Sequence, residues 1–343
     1  MRSVCDTVYY GYPNPNSIKL LLNDIENKNL NHEYRWGYDL DYTFDYSVFD
    51  GCRLTVVPVM ASAGCKNNCS YCCYPPVFKN HYKVRNVEYV IEDLKQVAKF
   101  KKTVAFLDGN LFNNRKYLIS LCNAISKEKL NIRWGGQSTV DIGDDTEVLK
   151  VLRYAGCELL LLELETLEKE NEAQLRKQIF PVDRFEQQIK RIHKSGLKVG
   201  AYFILGLDND TPATFDKVAG FIDRTGIALP YLHVLVPIPG TAIYSQLKAE
   251  NRLFADDFED YLIRNPEFSV PCSVPYFLPS KMTGDDVERL FLILNKFVYN
   301  FASIFKRSLS YNLFIMIALL KLNLEARRKY LAMKRFYQKR AKK

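Results

Sequence analysis

The sequence predicts an α/β fold: a partial (β/α)6 TIM-like barrel with a helical C-terminal extension. Three observations carry that expectation. Six apolar runs of strand composition recur between residues 54 and 236, each followed by a segment of helical spacing or by the start of the helical region. Three of the helical segments stop at a glycine, Gly156, Gly196 and Gly226, the residue that ends a helix in the left-handed conformation without a steric cost. Beyond Gly240 the strand-like runs cease and helical periodicity takes over.

In order, residues 1 to about 52 read as irregular and Tyr-rich, with one helical pattern from Ser17 to Asn27 (Ile18, Leu21, Leu22, Ile25). The strands are expected at Leu54–Met60, Thr103–Leu107, Ile132–Gly136, Glu158–Glu163, Lys198–Leu205 and Tyr231–Val236. The helices between them are expected at Val87–Phe100, Arg115–Ser126, Thr146–Ala155, Val182–Ser195 and Pro212–Thr225. Runs this apolar suit a parallel sheet covered on its faces. Six β/α units make most of an eight-unit barrel, whose sites sit at the carboxyl ends of the strands. A doubly wound open sheet has the same periodicity, and periodicity does not separate the two. Asp285–Phe305 and Leu309–Tyr337 read as long amphipathic helices. The expected divisions are an N-terminal segment (1–52), the barrel (53–245), a helical region (246–320) and a basic tail (321–343).

Composition is that of an ordinary globular chain, with 48% hydrophobic and 25% charged residues. The net charge of +9 is concentrated at one end. From Lys321 to Lys343 there are ten Lys or Arg and a single acid, Glu325, so the rest of the chain is neutral. Such a tail can bind an acidic surface, whether membrane, nucleic acid or protein, or can simply be a solvated face. No secretory signal is expected, and the longest strongly apolar stretch near the C-terminus, Leu313–Leu320, is far short of the roughly 20 residues of a spanning helix. The expected location is the cytoplasm, with the tail offering peripheral contact to a membrane.

Nine cysteines are present, an odd number, and Cys65, Cys69, Cys72 and Cys73 fall within nine residues. In a reducing compartment that clustering argues for metal ligation over a disulfide framework. Gly64-Cys-Lys-Asn-Asn-Cys-Ser-Tyr-Cys72 has C-x3-C-x2-C spacing directly after the first strand. Three thiolates in one loop can hold three irons of a cubane and leave the fourth iron an open position for substrate. A structural zinc would need a fourth ligand, and adjacent Cys73 is poorly placed to close a tetrahedron.

This motif, with Tyr71 before its last cysteine, resembles the signature of the radical S-adenosylmethionine (SAM) superfamily. The resemblance implies a [4Fe–4S] cluster on Cys65, Cys69 and Cys72, with S-adenosyl-L-methionine bound at the fourth iron. It also implies reductive cleavage of SAM to a 5′-deoxyadenosyl radical, an electron donor such as flavodoxin or ferredoxin, and Tyr71 near the adenine. The match extends from about Leu54 to about Arg307 and is closest to the branch often fused to a cobalamin-binding domain. Tyr82-Lys-Val-Arg85 resembles that branch's step into its first helix. Strand-end matches make Asp108 and Asn110 candidates for the SAM amino group. Gln137 and Ser138 lie at the third strand end. Glu165 is the candidate for the SAM ribose or carboxylate, and Tyr202 and Gly206 frame the adenine. Pro237-Ile-Pro-Gly-Thr241 with Tyr244 resembles the sixth strand end, and Phe297–Arg307 the family's C-terminal helix.

Four positions depart from the pattern: Ala63 and Lys66 around the first cysteine, and Glu163 and Thr166 in the fourth-strand motif. Only 64 residues precede Cys65, so a cobalamin domain of ordinary size is not expected before it. His233 is expected as a hydrogen-bonded core histidine, and Cys157 and Cys272 as inert buried thiols. Radical methyl or other group transfer is the second enzymatic reading. A non-catalytic metal scaffold, or a nucleic-acid modifier resting on the tail alone, are the readings from other classes.

Overall fold

Polar caps fix where the helices begin. Asn86, Asn114, Asp145 and Thr241 each accept a hydrogen bond from a backbone N–H of the first turn that follows them, supplying acceptors that an isolated helix start lacks. A computed structural model of the chain describes residues 7–10, 14–35, 37, 39–52, 56–100, 103–177, 181–254, 276–309 and 313–340. A parallel ribbon, β1 (Val8–Tyr10) with β2 (Glu33–Arg35), flanks helix α1 (Pro15–Glu26). Then come β3 (Val56–Val59), β4 (Ser62–Gly64), α2 (Tyr74–Phe78), β5 (Tyr82–Val84) and α3 (Val87–Lys99). The alternation continues with β6 (Thr103–Phe106), α4 (Arg115–Lys127), β7 (Trp134–Ser138), α5 (Thr146–Tyr154) and β8 (Cys157–Glu165). It ends with α6 (Glu172–Leu175), α7 (Phe185–Lys194), β9 (Lys198–Leu205), α8 (Pro212–Thr225), β10 (Leu229–Val234) and α9 (Ala242–Ala249). Helices α10 (Gly284–Val298), α11 (Phe301–Ser308) and α12 (Leu313–Arg340) follow.

Strand order decides between the two architectures. The main sheet runs β3-β6-β7-β8-β9-β10, and every neighbouring pair is parallel. A doubly wound sheet reverses its order at a switch point. Here the order never reverses, so the six strands curl into part of a barrel, as expected. Buried side chains alternate along β3 and β6, and Phe106 meets Trp134 edge-on with ring centroids 5.1 Å apart. The Trp134 indole N–H, buried with the ring, donates to the Ala155 carbonyl at 2.8 Å. Burial of such a side chain contributes about 2–3 kcal/mol.

Several boundaries differ from expectation; β8, for one, runs on to Glu165, two residues past its expected end. β7 and β10 each lie two residues off the expected runs: Gln137 and Ser138 still pair with β8, and Leu229 already pairs with β9. The expected helix over 285–305 is two helices. Asn300 accepts from Ser303 N at 2.9 Å and starts α11 afresh. The first 52 residues hold β1 and β2 as well as α1. Residues 53–55, at the start of the first expected strand, and Cys5, Cys272 and Trp36 lie outside the described residues. No helix of the described residues is long and apolar enough to cross a membrane.

One buried ion pair ties the N-terminal segment to the barrel. Arg85 and Asp93 meet at 2.8 Å with both side chains fully buried. Arg85 also donates to the carbonyls of Leu40, Tyr42 and Met60, and Asp93 accepts from Phe44 N at 2.9 Å. Every hydrogen of the fork that these contacts use is matched to an acceptor, which a buried guanidinium requires.

Candidate active site

The cysteine loop is held at its base by backbone pairing. β4 and β5 pair antiparallel, Ser62 opposite Val84 and Gly64 opposite Tyr82. Gly64 has φ +77°, and a Cβ there would stand 1.8 Å from the His81 carbonyl oxygen, so only glycine fits before Cys65. Further out, Ser70 N donates to Leu175 O at 2.9 Å, and Ile243 N donates to Ser70 O at 2.9 Å. The loop is thereby fastened to the end of α6 and the start of α9.

A cavity of about 420 Å³ opens toward the carboxyl ends of the strands. Cys65, Cys69, Cys72 and Tyr71 line it from the loop. Gln137 comes from β7, Glu163 and Glu165 from β8, Tyr202 from β9 and His233 from β10. All three cysteines are free thiols. Burial pushes Cys69 up to about 11 and Cys72 up to about 12, so the thiolate form there calls for a neighbouring positive charge such as iron. Asn113 Nδ2 donates to Cys65 Sγ, and Tyr74 N to Cys72 Sγ, both at 3.4 Å. Among the described residues no three His, Cys, Asp or Glu side chains converge on one ion. A cubane asks only that each thiolate reach a different iron, so the donor set and the cavity fit a three-cysteine cluster.

Opposite charges are packed into the same wall. Lys177 Nζ lies 2.9 Å from Glu165 Oε1 and 3.0 Å from Glu163 Oε2, and the Tyr71 hydroxyl donates to Glu165 Oε1 at 2.7 Å. Burial pulls the Lys177 ammonium down, but Glu165 and Glu163 outweigh it and hold the amine protonated. Burial raises Glu163, against the pull of Lys177. Glu165 sits at φ +63°, where the register between β8 and β9 shifts. A non-glycine residue in that region stores about 1–3 kcal/mol of backbone strain, which the surrounding contacts must offset. Tyr202 stacks on Tyr231 at 4.9 Å and lies 6.2 Å from the His233 ring. Burial lowers His233, favouring the neutral ring.

The structure brings together Cys65, Cys69, Cys72, Tyr71, Gln137, Glu165 and Tyr202 at one cavity. Four other candidates stand behind it. Asp108 is buried and accepts from Ala61 N and the Ser62 hydroxyl, fixing the turn from β3 into β4. Asn110 accepts from Phe112 N and donates to Thr139 Oγ1. The Ser138 hydroxyl donates to the Thr139 carbonyl. Gly206, φ +79°, packs against Val287 and Val234. His233, expected as a hydrogen-bonded core residue, lines the cavity instead. Sequence reasoning passed over Lys177. The available signal was slight: one of two lysines in a mostly polar connection after two strand-end glutamates.

The model of the radical SAM superfamily matches residues 59–222. These residues are a radical SAM domain. It is the domain of an enzyme superfamily, and its cofactors are a [4Fe–4S] cluster and SAM. The chain is 26% identical over 256 residues to bacteriochlorophyllide d C-12(1)-methyltransferase of Chlorobaculum tepidum, covering 74% of this chain and 53% of that protein. It is 23% identical to hopanoid C-2 methylase of Rhodopseudomonas palustris, covering 75% of this chain and 49% of that one. The chain spans about half the length of these curated relatives. Its fold is similar to the radical SAM methyltransferase TsrM from Kitasatospora setae, solved with cobalamin and a [4Fe–4S] cluster bound. The TM-score is 0.59 at 12% identity, over 81% of this chain and 61% of that one. These likenesses are consistent with the branch fused to a cobalamin-binding domain.

Proposed function

We propose that this chain cleaves SAM reductively and modifies a further substrate by radical chemistry, with Cys65, Cys69 and Cys72 as the cluster ligands. The observation that carries the reading is the shared cavity: three free thiols and the Tyr71–Glu165–Lys177 network line or border one space large enough for a nucleoside. When bound, the reduced cluster supplies the electron that splits SAM into methionine and a 5′-deoxyadenosyl radical.

The chain's own residues bind, orient and exclude water. Glu165 Oε1 is occupied by Tyr71 and Lys177, so its Oε2 is the acceptor offered to a hydroxyl or an amine of SAM. Lys177 bridges both glutamates and fixes the Glu165 rotamer, which preorganises that acceptor. Tyr202 gives the adenine a flat face, backed by Tyr231. His233, neutral and without a charge to desolvate, suits contact with the substrate. Val234 at the end of β10 and Leu235 just after it border the same space and keep water from the reacting atoms.

Methyl transfer is the second reading, favoured by the methyl-transferring activities that name the two relatives. Electrons would come from a flavodoxin or ferredoxin, and the basic tail would meet an acidic surface in the cytoplasm. Anaerobic reconstitution with iron and sulfide, then SAM and dithionite, tests the main reading by the release of 5′-deoxyadenosine. Wild type should release it and Cys69→Ala should not. A protein that binds no cluster, or a variant as active as wild type, removes the proposal. Labelled methyl appearing on a substrate in place of 5′-deoxyadenosine accumulation selects methyl transfer.

A further inference from the structure

Among the described residues, the last three helices carry a run of exposed apolar side chains. Phe297, Phe301, Phe305, Leu309, Leu313 and Ile317 recur every four residues, and all are at least half exposed. Phe301 and Phe305, 65% and 59% exposed, lie one turn apart on α11. The cationic helix reaches this patch directly: the Arg327 guanidinium lies 4.1 Å from the centre of the Phe301 ring. It is fixed there by donation to the Tyr299 carbonyl at 2.6 Å.

α12 divides the same way along its length. Its seam against the body is Leu319, Asn323, Tyr330 and Met333, all buried. On the opposite side, Leu313, Ile317, Lys321, Leu324, Arg328 and Arg335 fall within an arc of about 80°, at about 100° per residue. The described side chains of this arc are exposed. Glu325, the helix's one acid, falls outside that arc. The outward face thus passes from apolar at its start to cationic at its end.

We propose that α11 and α12 form a docking face for an anionic lipid bilayer. The exposed phenylalanines and leucines would enter the boundary between headgroups and acyl chains, and the arginines and lysines would meet lipid phosphates. Charge selects this occupant. A symmetric second copy would set one basic run against another, which is repulsive. No described helix can cross a bilayer, so the face lies on the surface. The inference rests on the reading that the tail meets an acidic surface and adds the apolar half that an electrostatic contact alone would not need.

The test is co-sedimentation of the full chain with vesicles of phosphatidylcholine alone, and of phosphatidylcholine with about 30% phosphatidylglycerol. Wild type should partition onto the anionic vesicles at least about tenfold more strongly, and lose binding as salt rises. Phe301→Ser/Phe305→Ser should lose at least about tenfold, as should Lys321→Glu/Arg328→Glu/Arg335→Glu. Leu313→Ser/Ile317→Ser, which leaves the Arg327 contact intact, replaces the phenylalanine pair if that variant unfolds. Binding lost only in the charge variant leaves the acidic-surface reading standing and removes the apolar face. No binding to anionic vesicles removes both. A wild-type dimer in light scattering that Phe301→Ser/Phe305→Ser converts to monomer makes the face a self-interface and overturns the proposal.

Discussion

Lys177 Nζ lies 2.9 Å from Glu165 Oε1, and both side chains are almost wholly buried beside the cysteine loop. The same ammonium holds Glu163 at 3.0 Å. A single cation therefore serves two carboxylates in a place where an unpaired charge is costly.

Lys177→Met leaves both glutamates without their partner. The expected loss of stability is about 3–5 kcal/mol, since one member of a buried pair is removed. Reconstituted iron per chain should stay at the wild-type level, because the three cysteines are untouched, while 5′-deoxyadenosine release falls at least tenfold. Iron content and product measured on one preparation separate these effects. A variant that loses iron in proportion to activity would place Lys177 in cluster retention and not in SAM binding.

Arg85→Met should destabilise by about 3–5 kcal/mol for the same reason, because the Asp93 carboxyl stays buried without its partner. Adding Asp93→Asn removes that orphaned carboxyl, so the double variant should be more stable than Arg85→Met alone. Urea unfolding of the four proteins closes the cycle. A double variant less stable than either single one would show that packing, not the orphaned carboxyl, sets the cost.

Stability should fall as pH rises from about 4 to about 7, through buried carboxyls whose acid form the fold favours. Burial pushes Asp210 up to about 7, against hydrogen bonds from Leu207 N and Asn171 Nδ2. Its folded pKa exceeds its unfolded one. Its contribution is therefore complete below the unfolded value and lost as pH passes the folded one, at no more than about 1.4 kcal/mol per pH unit. Asp210→Asn cannot titrate. The stability gap between wild type and variant, from urea midpoints at pH 5, 6, 7 and 8, should shift against the wild type up to about pH 7 and level off above it. A gap independent of pH would mean that Asp210 stays ionised throughout.

Much of the barrel was legible because a parallel sheet writes itself as apolar runs separated by capped helices. The Lys198–Leu205 strand and the Pro212–Thr225 helix fall where their patterns end. The cysteine spacing also pointed to its place, after the first strand. What sequence obscured was direction and depth. Asp108 and Glu165 are both acids near strand ends, yet Asp108 turns inward to bind Ser62 and Ala61 while Glu165, at a register shift with positive φ, lines the cavity. Alternation along a strand gives no sign of such a shift. Lys177 was hidden because its partners lie 12 and 14 residues away across a connection without periodicity. Tyr299 and Asn300 broke a helix that hydrophobic spacing alone would have carried through to Phe305.

The clip formed by β4 and β5 has a consequence for how the metal arrives. It joins the two ends of the segment from Cys65 to His81, and Ser70 is pinned again at its outer turn. The entropy of closing that loop is spent by peptide hydrogen bonds before any iron is present. Ligand capture then resembles insertion into a mould more than folding around a seed, and the empty and loaded domains should share one outline.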